Sequence, residues 1–388
     1  MKLFAPLFAV LAVAACTAGG SSDLPGAVGA MPEWQAKHLA RPACPFVVGV
    51  PVCMALIESE HVNGAAVAGW GPQDLRARYR LPFSSTNGAG QIVALVDAYD
   101  NPNVASDLAA YRAQFGLGTA KFYKYNQQGE RGNYPAAQYG WGLEIDLDVE
   151  MVSAVCPACT IDLVEAKSMS IQDLEAAEAQ AASLGAHIVS NSWDCVGWDY
   201  CANEKYFAAP GVLYLAASGD YGYNVLGAPA VFPNVVAVGG TVLVKKGSEY
   251  RERAWKDSGA GCTSVKKPKW QKDPDCKFRT VADISAVAWN VAAYDTFGYG
   301  GWLTTAGTSL STPITAGIFA LAGNASALTA AAGFWSARQS LRRANLNTIR
   351  NGSDGSCGGE YLCTAGTNQY ETYSGPAGWG TPYGIGLY

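Results

Sequence analysis

Histidine is what this sequence has least of. Three occur in 388 residues, at His38, His61 and His187. None stands in a His-Gly-Thr-His setting, so hydrolysis that relies on a histidine base has little to draw on. Charge is scarce as well. Asp, Glu, Lys and Arg make up 15% of the chain, the net charge is −5, and no basic run or stripe occurs. That excludes nucleic acid as the main partner. The longest apolar run, Leu3 to Ala15, has about 13 residues, which suits an export signal and falls short of a bilayer span.

What is present points to a large core. Hydrophobic residues make up 49% of the chain, and the 44 glycines are spread through it, which suits many tight loops. Lys2 and the apolar run after it end in Val13-Ala14-Ala15-Cys16. This resembles a bacterial lipobox, in which Cys16 carries the lipid and is the protein's only tie to a membrane. Plain cleavage after Ala15 is the other reading. Residues 1–15 are thus expected to be an export signal. Residues 16–70, rich in Pro and Ala, are expected to be a tether and short lead segment, and residues 71–388 the main domain.

Setting Cys16 aside leaves ten cysteines, an even set that suits an exported disulfide framework. They fall into neighbouring pairs: Cys44 with Cys53, Cys156 with Cys159, Cys195 with Cys201, Cys262 with Cys276, and Cys357 with Cys363. Neighbour pairing is the simplest expectation, although spacing alone does not prove connectivity. Cys156-Pro-Ala-Cys159 also has the form of a redox motif, but no thioredoxin-like context surrounds it.

From about Gly71 short β-branched runs alternate with amphipathic helices. Strands are predicted over 91–97, 160–166, 187–193, 212–217 and 235–238. Helices are predicted over 104–115, with Leu108 and Tyr111 on one face, and over 143–155, 171–184 and 314–321. Strand–helix–strand order implies an α/β fold with a doubly wound, mostly parallel sheet and helices on both faces. Such sheets place their sites at the carboxyl ends of strands.

Three segments carry chemistry. Gly307-Thr308-Ser309 leads into an apolar helical run, so Ser309 would stand beside free backbone N–H groups at the positive end of a helix. An oxyanion formed there would be held, although a simple helix cap fits the same residues. In Gly142-Leu-Glu-Ile-Asp-Leu-Asp-Val-Glu150, Glu144 and Asp148 are four apart and share a helix face. Neighbouring carboxyls resist double ionisation, so one can act as a base while the other orients it. Asp146 and Glu150 read as ordinary acids complementing a helix N-terminus. In Ser218-Gly219-Asp220, Asp220 follows a predicted strand, where a protonated carboxyl could donate to an oxyanion. A turn aspartate is the plainer reading. His187 begins a predicted buried strand and reads as a core residue.

Taken in order, Glu-x-Asp-x-Asp, Ser-Gly-Asp and Gly-Thr-Ser make residues 71–388 similar to the sedolisins, the serine-carboxyl peptidases. Phe232 to Thr241 and Pro268-Lys-Trp-Gln271 add to the likeness. The resemblance implies a subtilisin-like fold and endopeptidase or tripeptidyl-peptidase action on polypeptides at acidic pH. It implies Ser309 as nucleophile, Glu144 as base, Asp148 as its orienter and Asp220 at the oxyanion. Asp97 is implied as a supporting acid and Trp193 as a residue beside the substrate cleft.

Two features depart from the family. Its calcium site near the C-terminus has aspartates where this chain carries Thr348 and Gly380, so no metal or other cofactor is expected; Asp354 is the one acid close enough in sequence to substitute. The family's large propeptide has no counterpart in the roughly 55 residues between Cys16 and the domain. The domain is then expected to fold unaided or to keep its lead segment. The rival readings are a catalytically silent surface protein that binds peptides, a histidine-dependent subtilisin, and a glycosidase. The last needs carboxyls on separate elements flanking a bond.

Overall fold

The computed structural model describes residues 40–60, 67–84, 86–197, 201–327, 331–366 and 373–388. Residues 1–15, expected to be an export signal, and Cys16, His38 and His61 lie outside these residues. Among the described residues no helix is long and apolar enough to cross a membrane.

Short runs rich in Val, Ile, Leu and Ala build the centre. An eight-stranded sheet runs in the order Glu249–Ala254, Val235–Lys246, Leu213–Ala217, Ile188–Asn191, Ile92–Ala98, Thr160–Ala166, Lys121–Asn126, with Ile284–Val287 pairing on Val235–Lys246. All pairs are parallel except the hairpin of Glu249–Ala254 with Val235–Lys246. Strands covered on both faces need no polar alternation, and Ile92–Ala98 is accordingly buried from Val93 onward.

Helices α1 (Pro72–Tyr79), α2 (Val104–Gln114), α3 (Tyr139–Val155), α4 (Ile171–Ser183) and α5 (Thr308–Ala322) pack around this sheet. The predicted strand 187–193 divides into Ile188–Asn191 and Trp193–Val196, and the second piece leaves the central sheet to pair elsewhere. His187 is exposed at the strand's start, with its Nδ1 3.1 Å from the Gly211 carbonyl, and is not a core residue. The helix predicted over 143–155 begins four residues earlier, at Tyr139, capped by the Gln138 side chain on the Trp141 N–H.

That earlier start changes how α3 is read. Residues Gly140 to Val155 are all buried, and no acid lies in the first turn. Asp146 and Glu150 are therefore not dipole-complementing surface acids. They lie in mid-helix, fully buried near Asp107 and Asp295. A helix buried all round is expected in the interior of a large domain; four acids on it are not explained by packing.

The ten described cysteines pair as neighbours in five disulfides, including Cys156–Cys159. The lead segment is built into the domain. Arg41–Pro42 pairs with Leu56–Glu60, Leu56–Glu60 pairs with Gly301–Ala306, and Val52–Cys53 pairs with Trp193–Val196, all antiparallel. The Cys44–Cys53 disulfide closes the loop between them.

Candidate active site

Two helices lying side by side on one face of the sheet bring the expected residues together. Helix α3 carries Glu144 and Asp148, and α5 packs against it with Ser309 in its first turn. Asp97 is near the carboxyl end of Ile92–Ala98, and Asp220 lies just beyond that of Leu213–Ala217. Ser309, Glu144, Asp148 and Asp97 are wholly buried and Asp220 is 1% exposed.

Gly307 marks their meeting point. Its φ of +130° is one that L side chains rarely adopt. A Cβ there would lie 2.8 Å from Ser309 Oγ, 2.9 Å from Asp220 Oδ2 and 2.2 Å from the Met54 carbonyl oxygen. The nucleophile candidate and the free oxygen of Asp220 thus border one small space. Asp220 is fixed by its other oxygen, which accepts the Thr308 N–H and the Thr308 hydroxyl, each at 2.8 Å. The Ser309 N–H belongs to a first helical turn, where no intrahelical acceptor exists.

A proline fixes the other side. Pro313 inside α5 supplies no N–H to the Ser309 carbonyl four residues back. That carbonyl lies 3.3 Å from the Ser192 hydroxyl, which also approaches Asp148 Oδ1 at 2.6 Å. Ser192 therefore links the two helices through the acid expected to orient the base.

Burial sets the electrostatics. It pushes Glu144 well above the ordinary carboxylate range, aided by the charges of Asp97 and Asp220; the Ser309 side chain and the Met54 backbone favour its charged form instead. Asp148 is raised by burial and by the charges of Asp97 and Glu144, against the Ser192 hydrogen bond. Burial alone raises Asp97 to about 7. Asp220 is pushed up to about 8 by burial, against its two bonds from Thr308. A group of acids buried this closely holds protons at acidic pH.

Trp193 takes a different place from its acidic neighbours. Its ring is buried against Phe207, with centroids 6.2 Å apart, while its backbone pairs with Cys53. Gly307 and Thr308 stood in the recognised Gly-Thr-Ser motif without a role of their own, Ser192 directly precedes the recognised Trp193, and Met54 lies in the segment read as a lead.

The C-terminal residues do not suit calcium. A Cβ at Gly380 would lie 2.2 Å from the Asn347 carbonyl, at φ +118°, so an aspartate has no room there. Thr348 offers no carboxylate. Asp354 stands elsewhere, its backbone carbonyl accepting from Tyr223 N–H at 3.0 Å, and burial pushes its carboxyl up to about 9. Among the described residues, Asp107, Asp146 and Asp295 form the one acidic group with oxygens within 4.8 Å of one another.

The family model of the subtilases matches residues 129–386. The chain belongs to the subtilase family, in its sedolisin branch. It is 28% identical to kumamolisin of Bacillus sp. (strain MN-32) over 298 residues, 66% of this chain and 53% of the relative. It is 25% identical to sedolisin of Pseudomonas sp. (strain 101) over 354 residues, 77% of this chain and 57% of the relative. The chain therefore spans little more than half the length of these curated relatives. Its fold superposes on the solved structure of Pseudomonas sedolisin, a serine-carboxyl proteinase complexed with pseudo-iodotyrostatin. That match has a TM-score of 0.69 at 24% identity and covers 82% of this chain and 96% of that one. Sphericase matches more distantly, with a TM-score of 0.52 at 19% identity over 82% of this chain and 99% of the other. The doubly wound, mostly parallel sheet expected from strand order and the subtilisin-like architecture implied by the resemblance are both observed.

Proposed function

We propose that this chain is a serine-carboxyl peptidase that cleaves polypeptides at acidic pH through Ser309, Glu144, Asp148 and Asp220. The meeting of Ser309 Oγ and Asp220 Oδ2 at the space beside Gly307, with the buried Glu144 of α3 under the influence of both the Ser309 side chain and the Asp220 charge, carries this reading. Ser309 attacks the peptide carbonyl while Glu144 takes the hydroxyl proton and passes it to the leaving amine. Asp148, held by Ser192, orients Glu144 and shares its charge. Protonated Asp220 and the Ser309 N–H stabilise the oxyanion. Water then hydrolyses the acyl-enzyme. Asp97 supports the pair by keeping a proton among the three acids, and Trp193 holds the cleft strand in place. Calcium has no part in this reading, because residues 348 and 380 supply no carboxylate.

The apolar start of the chain and the pairing of all ten described cysteines support export, with Cys16 as the lipid-bearing residue of a bacterial envelope protein. Metabolic labelling with a fatty acid, present in wild type and absent in Cys16→Ser, would establish the anchor.

The deciding experiment is digestion of a denatured protein between pH 3 and pH 7, with Ser309→Ala alongside and fragments read by mass spectrometry. Acid activity that vanishes in the variant is expected. A rate that stays flat from pH 4 to pH 8 would contradict the carboxyl mechanism. A folded wild type that never cuts would leave a silent peptide-binding protein.

A further inference from the structure

A second group of buried acids forms where three parts of the chain meet. Asp107 is on α2, Asp146 on α3, and Asp295 ends the strand Val291–Asp295, just before the turn into Gly301–Ala306. Asp146 stands two residues from both Glu144 and Asp148, so it faces away from them across the helix. One carboxyl oxygen of each aspartate lies within 4.8 Å of the others. Asp107 is 2% exposed, and Asp146 and Asp295 are wholly buried. Donors at the rim aim each of them. Asp107 accepts the Thr296 N–H at 2.9 Å and the Thr296 hydroxyl at 2.7 Å. One oxygen of Asp146 accepts from the Asn101 side chain at 2.7 Å. One oxygen of Asp295 accepts the Gly298 and Tyr299 N–H groups at 2.6 and 3.2 Å.

The oxygens left over point to a bound positive charge. Asp146 Oδ1 and Asp295 Oδ2 have no donor among the described residues. Yet the two carboxyls are close enough for one to hydrogen-bond the other. Two buried acceptors that meet in this way need something positive between them. One turn further along α3, Glu150 is wholly buried as well. Its Oε2 accepts the Tyr294 N–H at 3.1 Å, while its Oε1 has no donor, and the charges of all three aspartates bear on it. Among the described residues no lysine or arginine forms an ion pair with any of the four. Arg112, on the same helix as Asp107, gives its donors to Ser153 and to the carbonyls of Leu117, Gly118 and Pro157. Buried carboxyls are paired, protonated or bound to metal.

We propose that Asp107, Asp146 and Asp295, with Glu150 beside them, bind a calcium ion that clamps α2, α3 and the turn after Asp295 together. Oxygens stand about 2.4 Å from a calcium ion, so ligands on opposite sides of it are about 4.8 Å apart, the limit these three aspartates meet. Carboxylates can bind calcium through both oxygens, so three of them supply much of its shell, whereas magnesium keeps several waters that a buried site must also house. The turn gives access, because Thr296, Gly298 and Gly300 are exposed. Without the ion, protons are all that can balance the cluster. The clamp steadies the candidate active site from behind. Helix α3 carries Glu144 and Asp148, and the strand after the turn runs into Gly307 and Ser309. This site shares no residue with the C-terminal stretch around residues 348 and 380, and the inference stands apart from the peptidase reading.

The test is equilibrium dialysis of the chelator-treated full chain against calcium chloride at pH 7, beside thermal melting in calcium or in EDTA. Ser309→Ala serves as the parent, so that digestion does not intervene. The parent should bind one ion per chain, and calcium should raise its melting temperature by about 3 °C or more. Asp295→Asn should bind none and lose that rise. In EDTA it should melt no lower than the parent, because it removes a charge that nothing there balances. Asp354→Asn, which alters the acid closest to the C-terminal stretch, should keep both the ion and the rise. Where Asp295→Asn does not fold, Asp107→Asn puts the same question. A parent that binds no calcium overturns the inference and leaves the cluster balanced by protons alone. Calcium still bound by the folded variant, or lost from Asp354→Asn instead, overturns it as well.

Discussion

One oxygen of Asp220 accepts two hydrogen bonds from a single residue, the Thr308 N–H and the Thr308 hydroxyl, each at 2.8 Å. The other oxygen has no donor among the described residues and borders the space beside Ser309 Oγ. The carboxyl is thus aimed by its bonded oxygen, and in the proposed mechanism its free oxygen, protonated, donates to the oxyanion. Asp220→Ala should lower kcat about 10²- to 10³-fold, the usual loss for one oxyanion donor. Asp220→Asn, whose amide donates without titrating, should lose less. Because the group is pushed up to about 8, the wild type should also lose activity as pH rises through that value, and the Asn variant should not share that limb. Steady-state rates across pH on a peptide substrate check both outcomes.

Ser192 ties Asp148 to the carbonyl of Ser309, at 2.6 and 3.3 Å. Removing its hydroxyl frees Asp148 and takes a donor from the Ser309 carbonyl, while Ser309 Oγ itself is left in place. Ser192→Ala should reduce kcat roughly tenfold, corresponding to a lost hydrogen bond to a charged group of about 1.5 kcal/mol, with KM little changed. Its pH profile should shift upward, since the bond favours ionised Asp148. An unaltered profile would show that Ser192 only fills space.

Gly307 can be tested through stability as well as rate. An added methyl meets the Met54 carbonyl and Ser309 Oγ and forces φ +130° on a residue with a Cβ. Gly307→Ala should destabilise the fold by about 1–3 kcal/mol and remove activity. Thermal melting at acidic pH, read beside rate, checks this. A variant as stable and active as wild type would contradict the packing described.

The buried acids of α3 make stability depend on pH in an unusual direction. Burial raises Asp146, Glu150, Asp107 and Asp295, and neighbouring acids' charges add to this for Asp146, Glu150 and Asp295. Among the described residues none of the four has a lysine or arginine partner in an ion pair. In the unfolded chain such acids release their protons near pH 4. Above that the folded state binds more protons than the unfolded state, so stability is full below pH 4 and falls as pH rises toward the folded values. The melting temperature should drop between pH 4 and pH 8. Asp146→Asn should flatten the curve and raise its neutral end. A melting temperature that climbs with pH would refute the assignment.

Much of this protein was legible from local pattern. The strands at 92–98 and 160–166 and the helices at 104–114 and 171–183 follow from runs of β-branched residues and from apolar spacing, since each is stabilised by burying what it locally displays. The four acids and the serine were recognisable because their spacing and order are properties of the chain. The five disulfides followed from cysteines close in sequence.

Contacts between distant segments were decided only by the tertiary structure. A Pro- and Ala-rich stretch gives no periodic signal, so residues 52–56 read as a lead. Their conformation comes from strands about 140 and 250 residues away that offer unpaired edges. Asp146 and Glu150 looked like helix-end acids until α3 proved to start at Tyr139 and to be enclosed on every side. The sequence by itself determined which groups could do chemistry and the elements that carry them. The packing of α3 against α5 decided that these groups meet, that burial keeps them protonated, and that the chain's own backbone lies across them, because burial and strand pairing depend on what surrounds a residue in space.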